Sequence, residues 1–337
     1  MMVLLLVFLA SSASRPALGG AGPPRVEITN GVVHASVYLP NAETGYYRGA
    51  RFDWSGVIAE LTYKGHSFFG VWFPHYDPKL HDAITGPVEE FRSGDTTLGG
   101  ALGYDQVKPG STFVKIGVGA LLKPDEKPYS FAGEYRIVNP GIWTSRPEHD
   151  RISFVQDLHD DAGYCYRYEK SVKLVDHKPE LVIDHRLRNI GPKTIETDVY
   201  NHDFYVLDGQ PTGPGMRIIF KFRPQAADEK TWSRAADLAG KAEIRGNQVV
   251  FVKKLEGRES AASLLAGFSE AVSDNDIRVE NSNAGIGVRE IGDHPLVRLN
   301  LWSIRTTVCP EAFIHLRVEP GREVRWRIRY LFYELPK

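Results

Sequence analysis

An all-β fold with very little helix is predicted by three features of the sequence. Short runs in which apolar and polar residues alternate recur along most of the chain, the period of a strand with one solvated face. The 32 Gly, 21 Pro and 11% aromatic residues suit many strands joined by tight turns. Only one stretch, residues 225–240, has helical patterning, with Ala226, Ala227, Trp232, Ala235, Ala236 and Leu238 closing on Gly240.

Taken in order, residues 26–39 read as two short strands around Asn30-Gly31, a hairpin dipeptide, and residues 57–63 as a third that turns at Lys64-Gly65. From 73 to 108 the chain is expected to be an irregular loop rich in Gly and aromatics. A loop that long in a compact domain is functional or disordered, and its composition favours order. Strands are then expected over 113–122, 129–138, 152–158, 164–175, 181–187 and 194–207. Residues 164–174 are the clearest two-faced pattern, an antiparallel strand with one wet face. Strands resume after the 225–240 helix and end in 324–333, whose alternating arginines read as a solvated outer face. No repeat with a period of about 20 to 50 residues indicates a propeller or solenoid, so a sandwich or barrel remains.

The chain of 337 residues is 42% hydrophobic and 25% charged, an ordinary globular composition. Its 41 basic residues balance 42 acidic ones, which argues against a nucleic-acid partner. Residues 3–10 are an apolar core too short to span a bilayer, followed by Ser11, Ser12, Ala13 and Ser14. Residues 1–20 are therefore expected to be a cleaved signal peptide and 21–337 one β-sandwich domain, secreted or periplasmic, with no membrane span left after cleavage. Cys165 and Cys309 are compatible with a disulfide of an exported protein and equally with two buried thiols. His75, His81, Glu89, Glu90 and Asp105 share no face of a helix or strand, so no metal site is expected from them.

Chemistry is concentrated where the 194–200 run delivers Asn201-His202-Asp203-Phe204 into a segment ended by Asp208-Gly209-Gln210-Pro211. Loops at the ends of rigid strands are a common seat of function. An imidazole there, with an unperturbed pKa of about 6.5, can give and take protons near neutrality. On spacing alone, His202 reads first as a surface histidine at a turn.

The Asn201-His202-Asp203-Phe204 segment with its Asp208-Gly209 ending, following Leu187-Arg188-Asn189-Ile190-Gly191, resembles the galactose mutarotase (aldose 1-epimerase) superfamily. Gly49-Ala50-Arg51 and Val57-Ile58-Ala59 look like variants of that group's N-terminal Gly-Ala strand. Near the C-terminus, Val308-Cys309-Pro310-Glu311 precedes Val318-Glu319-Pro320-Gly321, which is similar to the family's Leu-x-Pro-Gly-Glu turn. The resemblance implies one large β-supersandwich and an isomerase of mutarotase type that needs no cofactor. It places His202 as catalytic acid and Glu311 as base, acting on a mono- or oligosaccharide. Mutarotation opens a hemiacetal ring and recloses it, so the two groups exchange roles and their pKa values must lie close together. The pair is expected to face each other across the sugar. Asn201, Asp208, Trp302, Tyr104, Arg51, Glu89 and Glu90 are the candidate sugar-binding residues, an aromatic platform with planar hydrogen-bonding groups.

Two departures from the family pattern bear on activity. Leu98-Gly99-Gly100-Ala101-Leu102-Gly103-Tyr104 keeps the glycines and Gly-Tyr pair of a family segment but lacks its histidine, and the gap from Glu311 to Pro320-Gly321 is short. A divergent epimerase and a non-catalytic carbohydrate-binding protein both fit. Sugar lyases with a related sandwich also carry a helical domain, for which this chain has no room.

Overall fold

A computed structural model describes residues 22–94, 100–227 and 238–336. The strands, all in antiparallel ladders among the described residues, form two large sheets with two smaller ones beside them. The ten-stranded sheet runs, in spatial order, β16 (Ala242–Arg245), β17 (Gln248–Phe251), β14 (Met216–Ile219), β19 (Asp276–Asn281), β20 (Ile286–Gly292), β23 (Glu323–Glu334), β12 (Glu180–Asn189), β11 (Tyr166–Leu174), β10 (Arg151–Leu158) and β9 (Ile142–Pro147). The six-stranded sheet runs β15 (Gln225–Ala226), β18 (Ser260–Ala266), β21 (Arg298–Ile304), β22 (Thr307–Val318), β13 (Ile195–His202) and β5 (Val88–Arg92). An N-terminal meander contains β1 (Arg25–Thr29), β2 (Val33–Tyr38), β3 (Ile58–Tyr63) and β4 (His66–Phe69). Tyr205 joins it to the six-stranded sheet by bridging Phe69 and Val308. The last sheet is β6 (Thr112–Lys115), β7 (Gly119–Leu122) and β8 (Ile137–Asn139).

The alternation in the sequence becomes the layering of the fold. Along β11, Tyr166, Tyr168, Lys170, Val172 and Leu174 are buried while the residues between them are half-buried. The largest core packs Phe68, Phe69, Ile183, Val279, Leu301 and Phe332 between the sheets. Each such side chain contributes about 1.5–3 kcal/mol by leaving water. The expected Asn30-Gly31 hairpin joins β1 to β2, with Gly31 at φ +81°. The Asn30 carboxamide accepts from the Val32 and Val33 amides and donates to the carbonyls of Val175 and Lys178, fastening the turn to the neighbouring sheet.

Four expectations are corrected. The 73–108 stretch is not wholly irregular, because Val88–Arg92 forms β5 and Tyr104–Gln106 one turn of 3-10 helix. Both faces of β5 are covered, so its consecutive glutamates are both buried and the strand shows no polar–apolar alternation. The 113–122 run is two strands, turned at Gly117 (φ +79°), where an added Cβ would lie 2.7 Å from that of Asp53. Of 129–138 only the end is strand, since Tyr129 and Tyr135 stack on one another instead of alternating. Gln225–Ala226 is an edge strand and residues 239–241 a turn, and residues 228–237 of the expected 225–240 helix lie outside the described residues, as do residues 1–20. Both cysteines are free thiols, Cys309 buried on β22 and Cys165 half-buried before β11. Among the described residues no helix is long and apolar enough to cross a membrane.

Candidate functional site

The ladders of the six-stranded sheet set side chains from β5, β13, β22 and β21 in rows on one face. One row contains Glu90 opposite Tyr200, with Phe313 opposite Arg298. The next contains Val88 opposite His202, with Asn300 opposite Glu311. The rows close across β13 and β22, where the Tyr200 and Phe313 rings stack at 4.1 Å and His202 Nε2 stands 3.4 Å from Glu311 Oε1. Asn300 Nδ2 donates to the other Glu311 oxygen at 2.9 Å.

His202 is packed in aromatic rings. It stacks on Phe204 at 3.7 Å, which stacks on Trp72 at 4.5 Å, while Phe52 and Trp302 meet its edge. Gly86 allows this packing, because a Cβ there would fall 1.9 Å from the carbonyl oxygen of Asp203, the residue after His202. Above Tyr200, Arg51 forms an ion pair with Asp82 and donates to Glu90 at 2.8 Å and Tyr200 at 3.1 Å. Its guanidinium also lies on the rings of Phe52 and Phe131.

Burial dominates the protonation states. It pushes the His202 pKa down to about 3, helped by the positive charge of Arg51. It pushes Glu311 above its ordinary value, against the hydrogen bond from Asn300. His202 is thus a neutral imidazole beside a carboxyl that keeps its proton to higher pH than usual. Its Nδ1 is buried without a partner, so the Glu311 contact at Nε2 is what bears on its tautomer. Glu90 also loses solvation but is held down at about 2 by Arg51 and then Lys115.

The expected acid–base pair is brought together, with one correction to its geometry: His202 and Glu311 lie side by side in contact and do not face each other across a gap. Trp302, Arg51 and Glu90 join the same neighbourhood. Asn201 and Glu89 do not. Side chains alternate along β13, so Asn201 points away from His202, and Glu89, directly opposite Asn201, shares its side. There Glu89 pairs with Lys170 and His185 between the sheets, and Asn201 donates to Glu89 and to the Tyr330 hydroxyl. Tyr104 is also displaced from the site: its ring is buried among Phe113, Tyr129 and Tyr135, and its hydroxyl donates to the Lys127 carbonyl. Asp208, at φ +51°, ties its turn to β4 through the Ser67 amide and His66. Leu98 and Gly99, where the family histidine is lacking, lie outside the described residues. Asn300, Asp82 and Phe131 were not legible as site residues, since only the register of β21, the path of the 73–87 segment and that of the segment between β7 and β8 bring them in. No group of three or more His, Cys, Asp or Glu among the described residues is arranged to hold a metal.

Neither a family model nor a curated protein matches the sequence. Solved structures match over nearly the whole chain. A putative aldose 1-epimerase from Escherichia coli K12 superposes with a TM-score of 0.58 at 13% identity, over 93% of this chain and 99% of that one. A GalM/aldose epimerase homologue from C. elegans gives 0.57 at 14%, with 93% and 99% covered. A galactose mutarotase-like protein from Lactobacillus casei gives 0.53 at 11%, with 92% and 100% covered. Sheet order, strand content and these superpositions agree: the chain has the galactose mutarotase-like β-sandwich fold, at a long sequence distance from these structures.

Proposed function

We propose that the protein interconverts the anomers of a saccharide, with His202 and Glu311 as its acid–base pair. The observation that carries this reading is their contact on one face of the sheet, with Asn300 on the second Glu311 oxygen. The ring oxygen and the anomeric hydroxyl are bonded to the same carbon, so a donor and an acceptor side by side suit them better than two groups across the ring. Burial inverts the roles implied by family resemblance. The Glu311 carboxyl donates its proton to the ring oxygen, the bond from that oxygen to the anomeric carbon breaks, and His202 Nε2 takes the anomeric hydroxyl proton. The open-chain aldehyde then rotates and recloses with both transfers reversed. His202 and Glu311 are only 3% and 5% exposed, so substrate entry requires the side chains packed over them to move aside.

That same burial favours a second reading, a saccharide-binding protein without turnover. Polarimetry or anomeric-proton NMR on freshly dissolved sugars, corrected for spontaneous mutarotation, separates the two. His202→Ala and Glu311→Gln are each expected to slow interconversion by about 10²–10⁴-fold and to leave sugar affinity within about tenfold. A wild-type protein that binds a sugar but relaxes its anomers no faster than buffer removes the catalytic reading.

A further inference from the structure

A second cleft, of about 440 Å³, shares no lining residue with the His202–Glu311 rows. Its walls carry three cations, Arg48, Lys79 and Arg136, against one carboxylate, Glu134, with Trp54 and Tyr135 beside them. Several arginines elsewhere are matched, as in Arg167 with Asp157, Arg289 with Asp276 and Arg327 with Asp184. Among the described residues, none of the three cleft cations is in an ion pair. Arg48 gives one N–H to the Glu43 carbonyl at 2.7 Å, but its Nε is buried with no acceptor. The guanidinium and ammonium groups along the cleft are charge-assisted donors that suit an anionic oxygen.

Aromatic surface adjoins the cations. Tyr38, Tyr46 and Tyr76 stack at 3.9 and 4.8 Å, and Tyr76, the outermost and 42% exposed, lies within reach of the Arg48 charge. An aromatic ring such as Tyr135 in the cleft wall suits the C–H face of a sugar ring, and a cluster of Arg and Lys suits a carboxylate or sulfate. We propose that this cleft binds an anionic saccharide, a pyranose carrying a carboxylate or a sulfate ester. It is a site apart from the acid–base pair and does not rest on the activity proposed for that pair.

Calorimetry on the full chain tests this without any turnover, so failure here leaves the epimerase reading standing and the reverse also holds. The probes are trigalacturonate, a sulfated galactose trisaccharide, neutral galactotriose and inorganic sulfate. One or both acidic trisaccharides are expected to bind, more weakly as salt is raised, and which one binds identifies the anionic group. The exposed pair Lys79→Ala/Arg136→Ala, checked for unchanged melting, is expected to weaken that binding by at least about tenfold, and Arg48→Gln to do likewise. The proposal is overturned if neither acidic trisaccharide binds, if galactotriose binds equally well, or if the double variant binds like wild type. Inorganic sulfate competing at equal concentration would also overturn it, marking a simple anion site.

Discussion

Asn201 and His202 are adjacent in the chain and serve opposite sides of one sheet. The Asn201 carboxamide donates to Glu89 and Tyr330 between the sheets, while the His202 imidazole touches Glu311 on the other face. The two positions are therefore expected to separate on substitution. Asn201→Ala removes two buried hydrogen bonds and should destabilise the fold by about 1–3 kcal/mol in urea. His202→Ala also opens a cavity among the rings, so the rate of the folded protein is what separates them: any anomerase rate should be lost in His202→Ala and kept in Asn201→Ala. Equal rate losses in both would show that His202 acts only through packing.

The working protonation state sets the pH dependence of the rate. With Glu311 as donor and neutral His202 as acceptor, interconversion is expected to be lost as pH rises through the raised pKa of Glu311. It should also be lost on acidification near the His202 value of about 3. Initial rates across pH, corrected for buffer catalysis, check this. A rate that climbs with pH through the carboxylate range would assign the donor role to the imidazolium.

Between the sheets, Lys170 is the cation shared by Asp53 and Glu89. Glu89 keeps its charge, with a pKa of about 2 that Lys170 and then His185 hold down against burial. Burial pushes Asp53 up to about 6. Lys170→Met leaves buried carboxylate without its ammonium and is expected to cost about 3–5 kcal/mol. Adding Asp53→Asn and Glu89→Gln should recover part of the loss, because these sites are in contact and not independent. Chemical denaturation reads both, and a Lys170→Met cost below about 1 kcal/mol would refute the account.

A second buried acidic pair predicts how stability changes with pH. Burial pushes Glu290 up to about 7, and burial together with the Glu290 charge pushes Asp203 well above the carboxylate range. The folded state thus binds protons that the unfolded chain has released. The stability from Glu290 is full below its unfolded value of about 4.5 and is lost as pH rises through about 7. Melting temperatures between about pH 5 and about pH 8 should fall in the wild type and fall less in Glu290→Gln. Parallel curves for the two proteins would contradict the assignment.

Much of the architecture was legible because strand period, turn dipeptides and composition are local. The Asn30-Gly31 hairpin and the two-faced β11 formed as their sequences require. Local motifs also marked His202 and Glu311 as candidates. Their meeting, though, depends on the β13–β22 ladder, a relationship between residues more than a hundred positions apart. Three things were decided only in three dimensions, because each depends on a partner from another element. Glu89 and Glu90 are neighbours in sequence, but β5 sends one to Lys170 and the other to Arg51. Asn201 was placed beside His202 by adjacency, and strand alternation puts it on the reverse face. The low pKa of His202 comes from burial under aromatic rings and the charge of Arg51; Phe204 is a sequence neighbour, but Phe52, Trp302 and Arg51 come from other elements.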